Sequence, residues 1–184
     1  MDKYIALLRG VNVGGKNKVS MSILKTAFEE KGFFDVYTYI NSGNVIFSSR
    51  DSDIVALQNN CRQAIIDKFR LDIPVAVISV AELSDALGNA PEWWDDDLES
   101  KHIAIFMIAP AVADTLVNEV GINHEYEKVS TYGKVIFWSA PIKTFSRTKW
   151  SKIIATPAYS YITIRNANTT KKLLELSVRN HHKK

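Results

Sequence analysis

The sequence predicts an α+β fold built from two consecutive β-α-β-β-α-β passes, and three observations carry that prediction. Short apolar runs of strand length alternate with longer runs whose apolar residues recur every three to four positions. Two turn signals, Asn41-Ser42-Gly43-Asn44 and Tyr132-Gly133, each separate a pair of β-rich runs, as hairpins require. The same order of elements then recurs beyond residue 100.

Tyr4 to Arg9 is an apolar run ended by Gly10, long enough for a strand and too short for a helix. Ser20 is placed to cap a helix whose apolar positions are Ile23, Leu24, Ala27 and Phe28, with Gly32 at its end. Phe34 to Ile40 and Val45 to Phe47 form the first hairpin. Asp53 is placed to cap a second helix along Ile54, Leu57, Cys61, Ala64 or Ile65 and Phe69, and Pro74 opens a strand that runs to Val80.

After a connector with a short helix, Ile103 to Ile108 reads as a strand and Ala111 to Val120 as a helix stopped by Gly121. Tyr126 to Ser130 and Val135 to Trp138 form the second hairpin. Ser146 to Ala155 reads as a helix, Tyr161 to Ile164 as a strand, and Asn168 or Thr169 as the cap of a last helix that ends near Val178. This order describes two ferredoxin-like βαββαβ subdomains in tandem, with antiparallel or mixed sheets and helices packed on them. The expected boundaries are 1–80 for the first subdomain, 81–100 for the connector and 101–184 for the second subdomain with its C-terminal helix.

Composition narrows the function classes. The chain has 184 residues, 46% of them hydrophobic, enough to bury a core. No apolar run approaches the roughly 18 residues of a membrane span, and the first ten residues lack a signal peptide's pattern, so the expectation is a cytoplasmic protein with no membrane partner. One cysteine, Cys61, excludes an intrachain disulfide and lies on an apolar helical stripe, where a thiol is inert. From Lys143 to Lys184 ten Lys/Arg face one acid, while Glu82 to Glu99 holds seven acids and no base. Such asymmetry suits a polyanion or two patches that meet within one fold.

The segment Gly10-Val11-Asn12-Val13-Gly14-Gly15-Lys16-Asn17 nearly spells a phosphate-binding loop, and it lies between a strand and a helix. Glycines let amides converge on an anion, and Lys16, Lys18 and a helix start add positive potential. Asn17 stands where the magnesium-binding hydroxyl belongs, and hairpins contradict the parallel sheet of nucleotide hydrolases. Two readings remain: an anion-binding loop formed by Arg9, Asn12, Gly14, Gly15, Lys16 and Lys18, or a plain turn with solvated lysines.

Leu7 to Val19, followed by Tyr39-Ile40-Asn41-Ser42-Gly43-Asn44-Val45-Ile46-Phe47, resembles the opening of the bacterial domain-of-unknown-function family 1697. Ser146-Arg147-Thr148-Lys149, Thr163-Ile164-Arg165-Asn166, and Asn168-Thr169 leading into Lys172-Leu173-Leu174 resemble that family's C-terminal signature. Ala167 departs from it, standing where an aromatic residue is usual. The resemblance implies a small cytoplasmic bacterial protein with two ferredoxin-like subdomains and no established activity.

Ser42, Asn44, Arg147, Lys149, Arg165 and Asn166 complete the candidate ligand-binding set, the last two at a second strand-to-helix junction. Nucleic acid is a weaker candidate partner, through Arg147, Lys149, Lys152, Arg165, Lys171 and Lys172 with Trp150 for stacking. The aromatic pattern of RNA-recognition sheets is missing. His102, His124, His181 and His182 have neither metal nor triad spacing, Asp95-Asp96-Asp97 reads as a solvated loop, and Trp93-Trp94 as an anchor for the connector. No catalytic residue, metal or cofactor is assigned.

Overall fold

The structure, a computed structural model, describes residues 1–179; His181 and His182 lie outside them. The chain divides into two compact units, one from Met1 to Leu83 joined by the end of the chain from Lys172, the other from Ser84 to Lys171.

In the first unit β1 (Asp2–Leu8), α1 (Met21–Glu30), β2 (Phe34–Tyr39), β3 (Asn44–Ser49), α2 (Ile54–Phe69) and β4 (Val75–Ser79) follow in the expected order, and α3 (Val80–Gly88) begins the connector. The sheet order is β2-β3-β1-β4 and every neighbouring pair is antiparallel. Each crossover therefore joins strands that are parallel but not adjacent, which is how hairpins and helical crossovers coexist in one sheet. Tyr4, Ala6 and Leu8 of β1 share a core with Leu24 and Phe28 of α1 and Leu57, Cys61 and Ile65 of α2. Leu24 and Phe28, fully buried, each contribute roughly 1.5–3 kcal/mol. Ile23 was expected on that face but is 44% exposed. The intervening residues of β1, Ile5 and Leu7, are buried too.

Caps follow the sequence at one helix and depart from it at another. Asp53 Oδ1 accepts from the amides of Val55 and Ala56 at 2.9 and 3.2 Å. Ser20 stands at the cap of α1, yet its hydroxyl bonds Ser22 Oγ and leaves the helix amides alone.

In the second unit β5 (Ser100–Met107), α4 (Ala113–Val120), β6 (Lys128–Tyr132), β7 (Val135–Pro141) and β8 (Ile162–Asn166) form a sheet of order β6-β7-β5-β8, again fully antiparallel. Two four-stranded antiparallel sheets of one topology are in line with the expected tandem arrangement. The helix expected over 146–155 is instead broken into 3₁₀ turns at Ile142–Arg147, Trp150–Ala155 and Pro157–Tyr161. Thr148 and Thr156 are extended, and their hydroxyls bond the carbonyls of Phe145 and Ile153, so the chain closes three-residue turns and restarts. The segment still fills the crossover's place, with Trp150 and Ile153 buried against Ile105, Ile136 and Trp138.

The second hairpin starts at Lys128 and not at Tyr126, because Asn123 to Glu127 is a tight turn closed by the amides of Tyr126 and Glu127 on Asn123 O. The last helix, α5 (Ala167–Val178), begins earlier than its expected caps: Asn166 Oδ1 accepts from Thr169 N at 2.8 Å. Trp94 is 7% exposed, donates to Ile103 O at 2.9 Å and meets Phe137 edge-on, which anchors the connector.

The first hairpin turn has a steric requirement. Gly43 has φ +76°, and a Cβ there would stand 2.6 Å from Val11 Cγ2 and 2.7 Å from Leu8 Cβ. Gly43→Ala combines that overlap with left-handed strain, so urea denaturation should show a loss of about 2 kcal/mol or more.

Candidate functional site

The loop after β1 is a small hairpin closed upon itself. Val13 and Lys16 form an isolated bridge, and Gly14 and Gly15 turn the chain at φ +59° and +75°. Asn12, with φ 55°, donates its backbone N–H to Asn17 O at 3.1 Å, and Asn17 Nδ2 donates to Gly10 O at 3.1 Å. Asn12's side chain is spent on structure. Its Nδ2 donates to Val19 O at 2.9 Å and Asn41 O at 2.8 Å, while its Oδ1 accepts from Val19 N at 2.9 Å. The amides of Asn12 and Lys16, which a phosphate-binding loop would turn on its anion, instead close the hairpin on Asn17 O and Val13 O.

The lysines are left outside this network. Lys16 and Lys18 are exposed and make no ion pair with any described residue. Gly15, Lys18, Ser20, Met21 and Ile23 line an open groove of about 740 Å³ together with Asn12, Asn41 and Phe69. Exposed Ile23 thus forms an apolar wall beside a charged one. Ser42 and Asn44 belong to the adjoining turn: Asn44 is fully buried and its Nδ2 donates to Tyr39 O at 3.1 Å and Ser42 Oγ at 2.9 Å. Arg9, half-buried, donates its N–H to Pro74 O at 3.0 Å. The first-half candidates therefore meet at one end of their sheet.

The second-half candidates do not form one cluster. Arg147 lies 5.4 Å over the Tyr126 ring and donates to its hydroxyl at 3.3 Å. Lys149 lies against Gly121, where a Cβ would stand 2.8 Å from Nζ. Arg165 is only 8% exposed and donates to Thr163 Oγ1 at 3.0 Å and Ile164 O at 2.7 Å. Burial lowers its guanidinium pKa to about 10. Asn166 is the helix cap already described. Of the other bases, Lys171 pairs with Asp95, and Lys172 with Glu175 at 2.8 Å, so part of the acidic and basic asymmetry is neutralised within the fold.

Two buried polar groups escaped sequence reasoning. Glu127, 3% exposed, accepts from the amides of Asn123 at 2.9 Å, Lys149 at 3.0 Å and Trp150 at 3.2 Å, and so fixes where the second 3₁₀ turn starts. His102, 7% exposed, lies beside Ser139, 5% exposed, with Nδ1 and Oγ 2.7 Å apart. Its Nε2 is 2.9 Å from Asp97 O. No local pattern announces either, since each joins residues more than twenty positions apart.

Asp96, Asp97 and His102 bring one ligand atom each within 4.8 Å of one another. The Asp97 carbonyl only accepts, so His102 Nε2 carries a proton and has no lone pair for a cation. Cys61 is fully buried, which raises its thiol pKa well above the ordinary value and leaves it unreactive. No helix among the described residues is long and apolar enough to cross a membrane.

Two four-stranded antiparallel sheets with helices packed on them define the chain as an α+β protein. It is similar over 97% of its length to 99% of the solved structure of the conserved bacterial protein SP0830 from Streptococcus pneumoniae, with 30% sequence identity and a TM-score of 0.86. Residues 1–137 match the family described as "Protein of unknown function (DUF1697)", and the chain belongs to that family. The segments from Ser146 to Leu174 lie beyond that match, although the structural similarity extends over them. No curated protein matches the chain.

Glu127→Ala leaves three amide donors without their acceptor and should lower the free energy of unfolding by about 3 kcal/mol. Urea titrations followed by tryptophan fluorescence measure this, and Glu127→Gln, which keeps one acceptor oxygen, should lose less.

Proposed function

We propose that this protein binds a small anionic, phosphate-bearing ligand in the groove beside the hairpin of residues 9–18. One observation carries the reading: Lys18 lines an open groove with the start of α1, and neither it nor Lys16 is neutralised by a described residue. A solvated turn would need no groove.

The parts divide the work. Lys16 and Lys18 supply charge, and the first amides of α1, which Ser20 does not cap, supply donors at the positive end of a helix dipole. Ile23, Met21 and Phe69 supply an apolar wall for the ligand's uncharged part. Asn12 positions the loop and contributes no free donor. A cytoplasmic setting suits this reading, because phosphorylated metabolites are abundant there and Cys61 is a free thiol. The nucleic-acid reading has less support, since Lys171 and Lys172 already have acidic partners.

A thermal-shift screen against inorganic phosphate, nucleotides, sugar phosphates and carboxylates tests the proposal. A binding anion should raise Tm with the logarithm of its concentration, adding about 2.7 kcal/mol of stability at one hundred times Kd. Lys16→Glu combined with Lys18→Glu should abolish that shift and leave the ligand-free Tm nearly unchanged, because both side chains are exposed. If no anion stabilises the wild type, or the double variant responds equally, the groove is not the site.

A further inference from the structure

A second constellation lies in the other unit and owes nothing to the basic hairpin. The β5–β7 register sets His102 directly opposite Ser139, so the two side chains stand together on one face of the sheet. His102 Nε2 carries its proton toward the Asp97 carbonyl at 2.9 Å, and this fixes the tautomer. In the neutral ring His102 Nδ1 is then the bare lone pair, and the contact at 2.7 Å is Ser139 Oγ–H donating to it. The carbonyl is itself held, because Asp97 Oδ1 accepts from Glu99 N at 2.8 Å and Ser100 N at 2.6 Å, which clamps the turn. Asp97 Oδ2, 3.8 Å from Nε2, is placed to stabilise an imidazolium.

The result is a hydroxyl, a base aimed at its proton, and an acceptor that orients the base, the order in which an activated serine is built. A purely structural Ser–His pair would need no access. Here Ser139 lines a cleft of about 160 Å³ with Trp93, Tyr126 and Lys128, large enough for an acyl group of a few heavy atoms. Lys128 is Ser139's register partner on β6 and lines the same cleft, so a cation is available on the serine's side of it.

We propose that Ser139 is an acyl-accepting nucleophile, with His102 as its general base and Asp97 as the residue that positions the base, acting on small carboxylic esters or thioesters. Ser139 Oγ adds to the carbonyl carbon as its proton passes to His102 Nδ1. The adduct collapses with cleavage of the bond to the alcohol or thiol, which leaves with that proton. Water, deprotonated by the same nitrogen, then releases the acyl group as the carboxylic acid and restores the serine hydroxyl.

The test uses the full chain with a fluorophosphonate probe and with p-nitrophenyl acetate. Intact mass should show one adduct, and peptide mapping should place it on Ser139 ahead of every other serine. Ser139→Ala should abolish the adduct and the p-nitrophenolate burst, and His102→Asn should slow labelling at least about tenfold, with near-UV circular dichroism reporting whether each variant keeps its packing. Labelling of the wild type decides the matter even if His102→Asn fails to fold. No adduct, an adduct spread over other serines, or an undiminished burst in Ser139→Ala overturns the proposal.

Discussion

The central strand of each sheet is committed on both edges, and that commitment fixes where the chain can leave. β1 pairs with β3 on one side and β4 on the other, so beyond Leu7 it passes between the hairpin turn and the entry to β4. Leu8 N donates to Gly43 O at 2.8 Å, and Arg9 N to Pro74 O at 3.0 Å. The second sheet repeats the exit: Met107 N donates to Lys134 O at 3.1 Å and Ile108 N to Tyr161 O at 2.8 Å. Only the first exit continues into a basic hairpin, and the amide of Asn12 ties that hairpin to Asn41 and Val19.

Polar side chains in this protein mostly complete backbone hydrogen bonding. Asn12, Asn44, Asn166 and Glu127 each satisfy backbone groups that no sheet or helix ladder reaches. Lys16, Lys18 and the Ser139–His102 pair differ in kind. The lysines are charges left over once the loop has closed, and the serine and imidazole are bonded to each other at the margin of a cleft. The folding arrangement does not consume the lysines, whereas His102 spends Nε2 on the Asp97 carbonyl and keeps Nδ1 for Ser139.

The fold was legible because its signals are local. Hairpins and helical crossovers follow from turn residues and apolar spacing within about twenty positions, and Asp53 at its cap, Cys61 in its core and Trp94 as an anchor were read correctly for the same reason. The 3₁₀ segment was misread because its apolar spacing looks helical, whereas the extended Thr148 and Thr156 interrupt it. Asn12 was placed in an anion-binding loop for its polar side chain. Its amide was expected to face a ligand, and the structure turns it onto Val19 and Asn41, one of them 29 residues away. His102 and Ser139 were invisible because their pairing depends on a strand register, and nothing near either residue encodes its partner.

The account rests most heavily on Asn12 holding the hairpin in one shape, with its lysines free of internal partners. Amide hydrogen exchange measured by NMR reads this directly at Val19, whose N–H is accepted by Asn12 Oδ1. The Val19 amide should be protected in the wild type, and Asn12→Ala should speed its exchange roughly tenfold or more, as expected for one lost hydrogen bond, while Ile5 in β1 stays unchanged. Fast exchange at Val19 in the wild type, or equal protection in Asn12→Ala, would contradict the account.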